Sequence, residues 1–417
     1  MMKFEPLMEN TPAVIEDTAR DLFGNETAGH IAPAPSPRPL NCSTSRANSE
    51  DAQLRQVDWT FAHRKSAPKI ESIHPYPAKF IGAIPATFLE HLKIPQGTAV
   101  MDPFCGSGTT LVEAQRAGFP SVGVDLNPIA CLISRVKTSP LAPGFVDAVV
   151  SVIDAARSVK DAETPDIPNV DHWFQKDIQV AVTAIASTIA KPQYSMWLDQ
   201  LRLTLSSILV RVSNQDSDTR YAAVDKGVNR DDVFAAFCAA AKKLSEALAS
   251  RDWSLADSQV IEANILEVQS KQISQPVGLV VTSPPYPNAY EYWLYHKYRM
   301  WWLGFDPIAV KQHEIGARAH FFKKNHHTAE LFEEQMRTTL LLLDSVLVPG
   351  GFACVVVGRS KIHGRVVDNG SMIYDLGQRL GFAPVMKLER PINANRKSFN
   401  LSHANIKTES VLVLKKK

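Results

Sequence analysis

Cysteine is scarce, at five in 417 residues, and Cys42, Cys105, Cys131, Cys238 and Cys354 show no C-x-x-C spacing. That disfavours both a zinc site and a disulfide framework and suits a reducing compartment. No apolar run reaches membrane-spanning length, and the N-terminal stretch carries Glu5, Glu9, Glu16 and Asp17 without a continuous apolar core. The sequence therefore predicts a cytoplasmic protein with no signal peptide, no membrane contact and no metal. A large charge of one sign is also missing, since the net charge is only +2. Its distribution is uneven: from Ser283 onward there are 19 Lys and Arg against 11 Asp and Glu, with clusters at Gly358 to Arg365 and Arg390 to Lys407. Such clusters either meet phosphates or form a solvated basic surface.

The glycine-containing stretch "DPFCGSGTT" (Asp102 to Thr110) lacks two features that would assign it to common nucleotide sites. No lysine follows the last glycine, which excludes a P-loop, and Leu111 stands where a dinucleotide fingerprint needs its third glycine. What is present is a carboxylate, Asp102, at the end of a short apolar strand, followed by Gly106 and Gly108, where a ligand can approach the backbone closely. A helix through Leu111, Val112 and Ala114 follows, and "SVGVDLNP" makes a second strand closing at Asp125. Strand, turn, helix, strand predicts a βαβ unit, the nucleus of a doubly wound sheet. An acid at each strand end fits an ammonium group at Asp102 and ribose hydroxyls at Asp125. Ammonium plus ribose without phosphate describes S-adenosyl-L-methionine. The plainer alternative is that the two acids cap a turn and a helix.

Farther along, the apolar run Gly278-Leu279-Val280-Val281 predicts an inner strand that ends at Thr282. Pro284 and Pro285 force the chain out of the sheet and hold Ser283 and Tyr286 rigidly at its carboxyl end, where open α/β sheets bind ligands. An exocyclic amine on a base is a poor nucleophile because its lone pair is delocalised into the ring. Acceptors on its N–H bonds free that pair, and the Ser283 hydroxyl and Pro284 carbonyl are natural acceptors. Tyr286 offers a face on which an extruded base can stack. Cytosine-C5 methylation would need a nucleophilic thiolate, usually in a Pro-Cys dipeptide, and the chain has none.

These stretches carry a resemblance. "DPFCGSGTT" resembles motif I of the amino-group DNA methyltransferases, and "TSPPY" resembles their motif IV in the Ser-Pro-Pro-Tyr form typical of cytosine-N4 enzymes. "HPYPAKFIGAIPATFLEHL" is similar to the motif that precedes motif I, "LVPGGFACVVVG" to a later sheet strand and "ESVLVLKK" to the terminal one. The resemblance implies an α/β fold, a Rossmann-like class I S-adenosylmethionine-dependent methyltransferase sheet with a helical insertion. It implies that Asp102 and the backbone around Phe104, Gly106 and Gly108 hold the methionine portion and Asp125 the ribose. Asn264 falls where the family often has an acid facing the adenine. Lys79, with Tyr76, either closes over the cofactor carboxylate or is a surface lysine beside a packed tyrosine. Ser283, Pro284, Pro285 and Tyr286 are the catalytic set.

The expected organisation is an N-terminal arm over 1–70, largely disordered or linker, a catalytic core over 71–140 and 256–417, and an all-helical insertion over 141–255. Ile178, Val182, Ile185 and Ile189 repeat at helical spacing, as do Leu198, Leu201, Leu205 and Ile208, and Val233, Phe237, Leu244 and Leu248. The insertion is the candidate target-recognition region. Its rival roles are structural or dimerising, with recognition falling instead to the basic segments after Arg359, including Asn393, Asn395, Arg396, Lys397 and Asn400. The aromatic stretch after the clamp reads as a packed helix. In it Tyr290 and Tyr292 border the base pocket, and His296, Lys297 and Arg299 either reach phosphates or solvate the helix. "ESVLVLKK" alternates as an edge strand does.

The expected partner is double-stranded DNA, with a restriction endonuclease acting separately and a monomeric or dimeric state. Adenine-N6 methylation, protein-glutamine or tRNA methylation, and a non-catalytic cofactor-sensing DNA binder are the alternatives.

Overall fold

The computed structural model describes residues 49–62, 68–218, 220–287, 290–321, 326–392 and 408–417. Helices Ser49–Gln56 (α1) and Ala83–His91 (α2) precede the first strand, Ala99–Asp102 (β1). Thr109–Arg116 (α3) leads into Ser121–Asp125 (β2), and Pro128–Thr138 (α4) follows. Asn127 starts α4 by accepting from the Ile129 amide at 3.0 Å, with Pro128 at the first helical position. Next come Phe145–Ser158 (α5), the single turn Val170–Trp173 (α6), Lys176–Ile189 (α7) and Leu198–Val212 (α8). A small hairpin of Gln215–Ser217 (β3) and Arg220–Ala223 (β4) precedes Arg230–Ala249 (α9).

The sheet resumes with Ser258–Glu262 (β5) and Val277–Thr282 (β6). Three helices follow, Tyr292–Trp302 (α10), Pro307–His313 (α11) and Ala329–Val346 (α12). Leu347–Gly358 (β7) is joined by the hairpin Ser360–Ile362 (β8) and Arg365–Val367 (β9) to Asn369–Arg379 (α13). Ala383–Pro391 (β10) and Thr408–Lys415 (β11) complete the fold.

Seven strands form one sheet in the order β10-β11-β7-β6-β1-β2-β5. β5, β2, β1, β6 and β7 are parallel, whereas β11 runs antiparallel to both of its neighbours. This is the Rossmann-like α/β sheet. β6 is buried along its whole length, so its apolar run needs no polar alternation. Side chains alternate between the two faces. Val100, Leu279, Val281 and Cys354 meet Leu54 of α1 and Phe88 of α2 on one side, and Met101, Val280 and Ala353 meet Met336 of α12 and Leu376 of α13 on the other. Because β1 has β2 on one flank and β6 on the other, chain order reverses there, and the crevice outside their carboxyl ends is the natural ligand site.

Four expectations need correction. Residues 49–62 are part of the fold: Leu54 and Trp59 are buried against the sheet, and the Trp59 indole donates to the Leu54 carbonyl at 2.9 Å. Ile70 is likewise in the core. Leu54 and Trp59 carry this burial with Val57 and Phe61 packed beside them at no regular helical spacing, and the rest of the expected arm over 1–48 and 63–67 lies outside the described residues. The insertion is not entirely helical, since β3 and β4 pair within it. β11 is an inner strand with a continuous buried run, and β10, which carries the basic residues Lys387 and Arg390, is the edge. His296 and Arg299 are buried in α10 rather than facing solvent.

The helices of the insertion share one apolar cluster with α4 and α10. Phe174 packs on Tyr298 and Trp302 with ring centroids 5.8 and 5.3 Å apart, and the Arg299 Nε donates to the Ser206 carbonyl at 3.1 Å. Fusion of the insertion to the sheet-bearing half through α10 explains why that helix is so aromatic: it serves as core for two sets of helices.

Candidate active site

A cavity of about 340 Å³ opens at the carboxyl ends of β1, β2 and β6. Tyr76, Lys79, Asp102, Phe104, Gly106, Asp125, Asn264 and the run from Ser283 to Tyr286 all line it. Of the residues singled out in the sequence, Gly108 stands outside the wall. It has φ +76°, and a Cβ there would lie 2.8 Å from the Ser134 hydroxyl, so its glycine is explained by the packing of α3 on α4.

Asp102 is fixed from two directions. The Thr282 hydroxyl donates to its Oδ1 at 2.6 Å across the β1/β6 crevice, and the Phe104 amide donates to the same oxygen at 3.1 Å. Asp125 closes the glycine turn: Oδ2 accepts from the Gly106 amide at 2.8 Å and Oδ1 from the Asn127 amide at 2.8 Å. Burial pushes both carboxyls up to about 6, and these hydrogen bonds hold the rise in check. Two buried acids in a cavity wall favour a cationic or hydroxyl-rich ligand.

Gly106 has φ +49°, and a Cβ there would come within 3.2 Å of the Tyr76 hydroxyl, so the turn and the tyrosine are in close approach. Tyr76 stacks on Tyr292 and on His296, with centroids 5.8 and 5.2 Å away. Lys79 donates to the Glu71 carbonyl and lies 3.8 Å from its carboxylate, which also receives Lys137 at 3.1 Å. Burial and the neighbouring Lys137 lower the Lys79 ammonium to about 8. Asn264 turns its amide to its own loop, donating to Glu267 at 3.1 Å and accepting from the Leu266 amide at 3.2 Å.

At the other end of the cavity, Tyr286 is held by its backbone. Gly316, at φ +75°, passes so close that a Cβ would sit 3.0 Å from the Tyr286 carbonyl. Tyr290 and Tyr292 line the cavity with it. Sequence reasoning missed Glu314, whose two oxygens accept from the Tyr292 and Trp293 amides at 2.8 and 2.7 Å and so start α10. Burial raises its carboxyl to about 8. It also missed Thr60, Arg390 and Glu409, which line the same cavity. No local pattern announces them, because Arg390 and Glu409 meet through the register of β10 and β11, and Thr60 arrives by the packing of 49–62 on the sheet. Among the described residues, no group of three or more His, Cys, Asp or Glu is placed to hold a metal ion, and no helix is long and apolar enough to cross a membrane.

A family model described as DNA methylase, N6_N4_Mtase, matches residues 33–135, which include the glycine turn and Asp125. The matched region is similar to the amino-group DNA methyltransferases. Two curated relatives agree with it. The Type II methyltransferase M.MvaI of Kocuria varians is 29% identical over 128 residues, covering 28% of this chain and 28% of its own. The Type II methyltransferase M.MjaII of Methanocaldococcus jannaschii is 39% identical over 88 residues, covering 20% of this chain and 16% of its own. The chain thus spans less than a third of the length of either relative in these matches. A solved methylase of Thermus thermophilus, described as complexed with S-adenosyl-L-methionine, is 20% identical over 36% of this chain and 51% of its own, with a TM-score of 0.21.

S-adenosyl-L-methionine is the molecule that the solved methylase is described as holding. The cavity suits it, with a buried acid for an ammonium group, a second for ribose hydroxyls and aromatic walls at Tyr76 and Phe104.

Proposed function

We propose that this chain is a site-specific DNA methyltransferase that places a methyl group on the exocyclic N4 amine of cytosine, as part of restriction-modification. The observation that carries the reading is that Ser283, Pro284, Pro285 and Tyr286 share one cavity with Asp102 and Asp125. Asp102, Phe104 and the glycine turn hold the methionine portion of the cofactor and Asp125 its ribose, with Tyr76 packed over the turn. When bound, S-adenosyl-L-methionine supplies an electrophilic methyl group. Ser283 and the Pro284 carbonyl accept from the amine and pull its nitrogen toward a tetrahedral shape, freeing the lone pair. The two prolines remove backbone freedom, so these acceptors are held ready. Tyr286 stacks the extruded base, which pairing would otherwise keep out of reach.

Double-stranded DNA is the substrate in this reading, and a separate restriction endonuclease is its partner. The insertion helices are the candidate for reading the target sequence. The test is methyl transfer from labelled S-adenosyl-L-methionine to unmethylated genomic DNA, followed by nucleoside digestion and mass spectrometry. N4-methylcytosine is expected. N6-methyladenine would keep the clamp and reject the base, and unlabelled DNA with cofactor still bound would reject the reading.

A further inference from the structure

We infer that Arg390 and Glu409 form a base-reading wall in this cavity, and that the pair selects cytosine over adenine. The inference rests on the amine-methylation reading above.

The position comes from topology. β11 runs against its neighbours, so its first residues lie at the edge of the sheet where β6 and β7 end, beside the last residues of β10. Arg390 and Glu409 are register partners there, with Nη1 and Oε2 2.5 Å apart. Arg390 Nε also donates to the Trp59 carbonyl at 3.2 Å. Asp125 and Asn264 lie toward β2 and β5 on one flank of the clamp at the end of β6. Arg390 and Glu409 lie toward β10 and β11 on the other. The clamp therefore divides the cavity into a cofactor flank and a second flank whose polar groups have no part in holding the cofactor.

A strand pair does not need this chemistry. Ions removed from water lose hydration that their mutual attraction only partly restores, and apolar residues of similar volume often serve as well. Yet the side chain of Arg390 is only 3% exposed and that of Glu409 19%, and both face a cavity. The cation is also held in one plane, because Glu409 and the Trp59 carbonyl engage Nη1 and Nε. A planar fork of donors suits a base edge that presents two acceptors. Along its pairing edge cytosine presents the N4 amine, then N3 and O2, both acceptors. Adenine presents the N6 amine, then N1, then a C–H. With the amine at Ser283 and Pro284, a guanidinium beyond it is satisfied by cytosine, whereas adenine leaves a buried donor facing carbon. Sites built this way discriminate strongly, because the wrong substrate leaves a polar group unpaired.

The experiment compares the full chain with Arg390→Lys, which keeps the charge and loses the fork, and with the double exchange Arg390→Glu/Glu409→Arg, which keeps an ion pair and inverts it. Steady-state methyl transfer to DNA, cofactor affinity by calorimetry and thermal midpoint are measured for each. We expect Arg390→Lys to lose at least about tenfold in kcat/KM for DNA with cofactor affinity unchanged and the midpoint lowered only by the lost bond to the Trp59 carbonyl. The exchange, which keeps an ion pair, should stay folded while methylation is lost. A second measurement needs no variant: at a mapped site, replacing the target cytosine by 3-deazacytosine removes the N3 acceptor and should also slow transfer at least about tenfold. Transfer within twofold of normal for Arg390→Lys or for the deaza substrate, or methylation restored by the exchange, overturns the inference and leaves the methyltransferase reading intact. Adenine as the wild-type product overturns the inference and the choice of base while keeping the amine-methylation reading, and a wild-type chain that labels no DNA overturns all three.

Discussion

The Thr282 hydroxyl donates to Asp102 Oδ1 at 2.6 Å and so ties the end of β6 to the end of β1. One residue later the clamp begins, so the group that orients the acid on the cofactor flank is covalently next to Ser283. Replacing Thr282 by Val keeps the shape and removes the donor. Asp102, already raised to about 6 chiefly by burial, then loses a hydrogen bond that holds it down. Cofactor affinity measured by calorimetry should fall about tenfold, while Thr282→Ser should stay close to normal.

The two buried acids make binding depend on pH. The carboxyls of Asp102 and Asp125 lie above their ordinary value of 3.8, at about 6, with burial as the main cause. The ligand-free fold therefore holds protons that the unfolded chain releases. Their contribution to stability is full below about pH 3.8 and is lost as pH rises through about 6. An ammonium ligand needs the ionised acid, so affinity runs the other way and strengthens over the same window. Calorimetry near pH 6 in buffers of different ionisation enthalpy should report proton release on cofactor binding.

Ser283→Ala and Tyr286→Ala separate the clamp from the cofactor flank. Both should lose methyl transfer by about a hundredfold or more while cofactor affinity stays within about twofold of normal. Asp102→Ala should show the opposite order, with affinity lost first. Normal cofactor affinity in that variant would remove Asp102 from the role proposed for it.

Leu54 and Gly108 test the frame. Leu54 is fully buried on the sheet, so Leu54→Ala should cost about 2–5 kcal/mol in urea unfolding, as a core position does and an arm does not. Gly108→Ala places a methyl 2.8 Å from the Ser134 hydroxyl at a positive φ, and should lower stability by about 1–2 kcal/mol or more. Cofactor binding by the folded fraction should change less than in Asp102→Ala.

Much of the site was legible because its parts are short and local. The glycine turn with its heading acid, the acid closing the next strand and the Ser-Pro-Pro-Tyr run each carry their geometry in a few adjacent residues, since glycine and proline constrain the backbone directly. Thr60, Glu314, Arg390 and Glu409 were not legible, because what makes each a wall residue is a partner far along the chain. Arg390 and Glu409 are neighbours only by the register of β10 and β11, and β10 itself was hidden by a sequence with no clear alternation. For the same reason β11 reads as an edge: its alternation around Val411 and Val413 is visible and the strand beside it is not. The helical periods of the insertion were plain, yet its fusion to α4 and α10 depends on which apolar faces meet, and periodicity does not encode that.

The place of β10 at the end of the sheet bears on where this fold can absorb change. It pairs with β11 alone, so substitutions on its free side leave the register of β1, β6 and β7, and the crevice at their carboxyl ends, undisturbed. The outermost strand can therefore drift in sequence while the geometry two strands inward is kept.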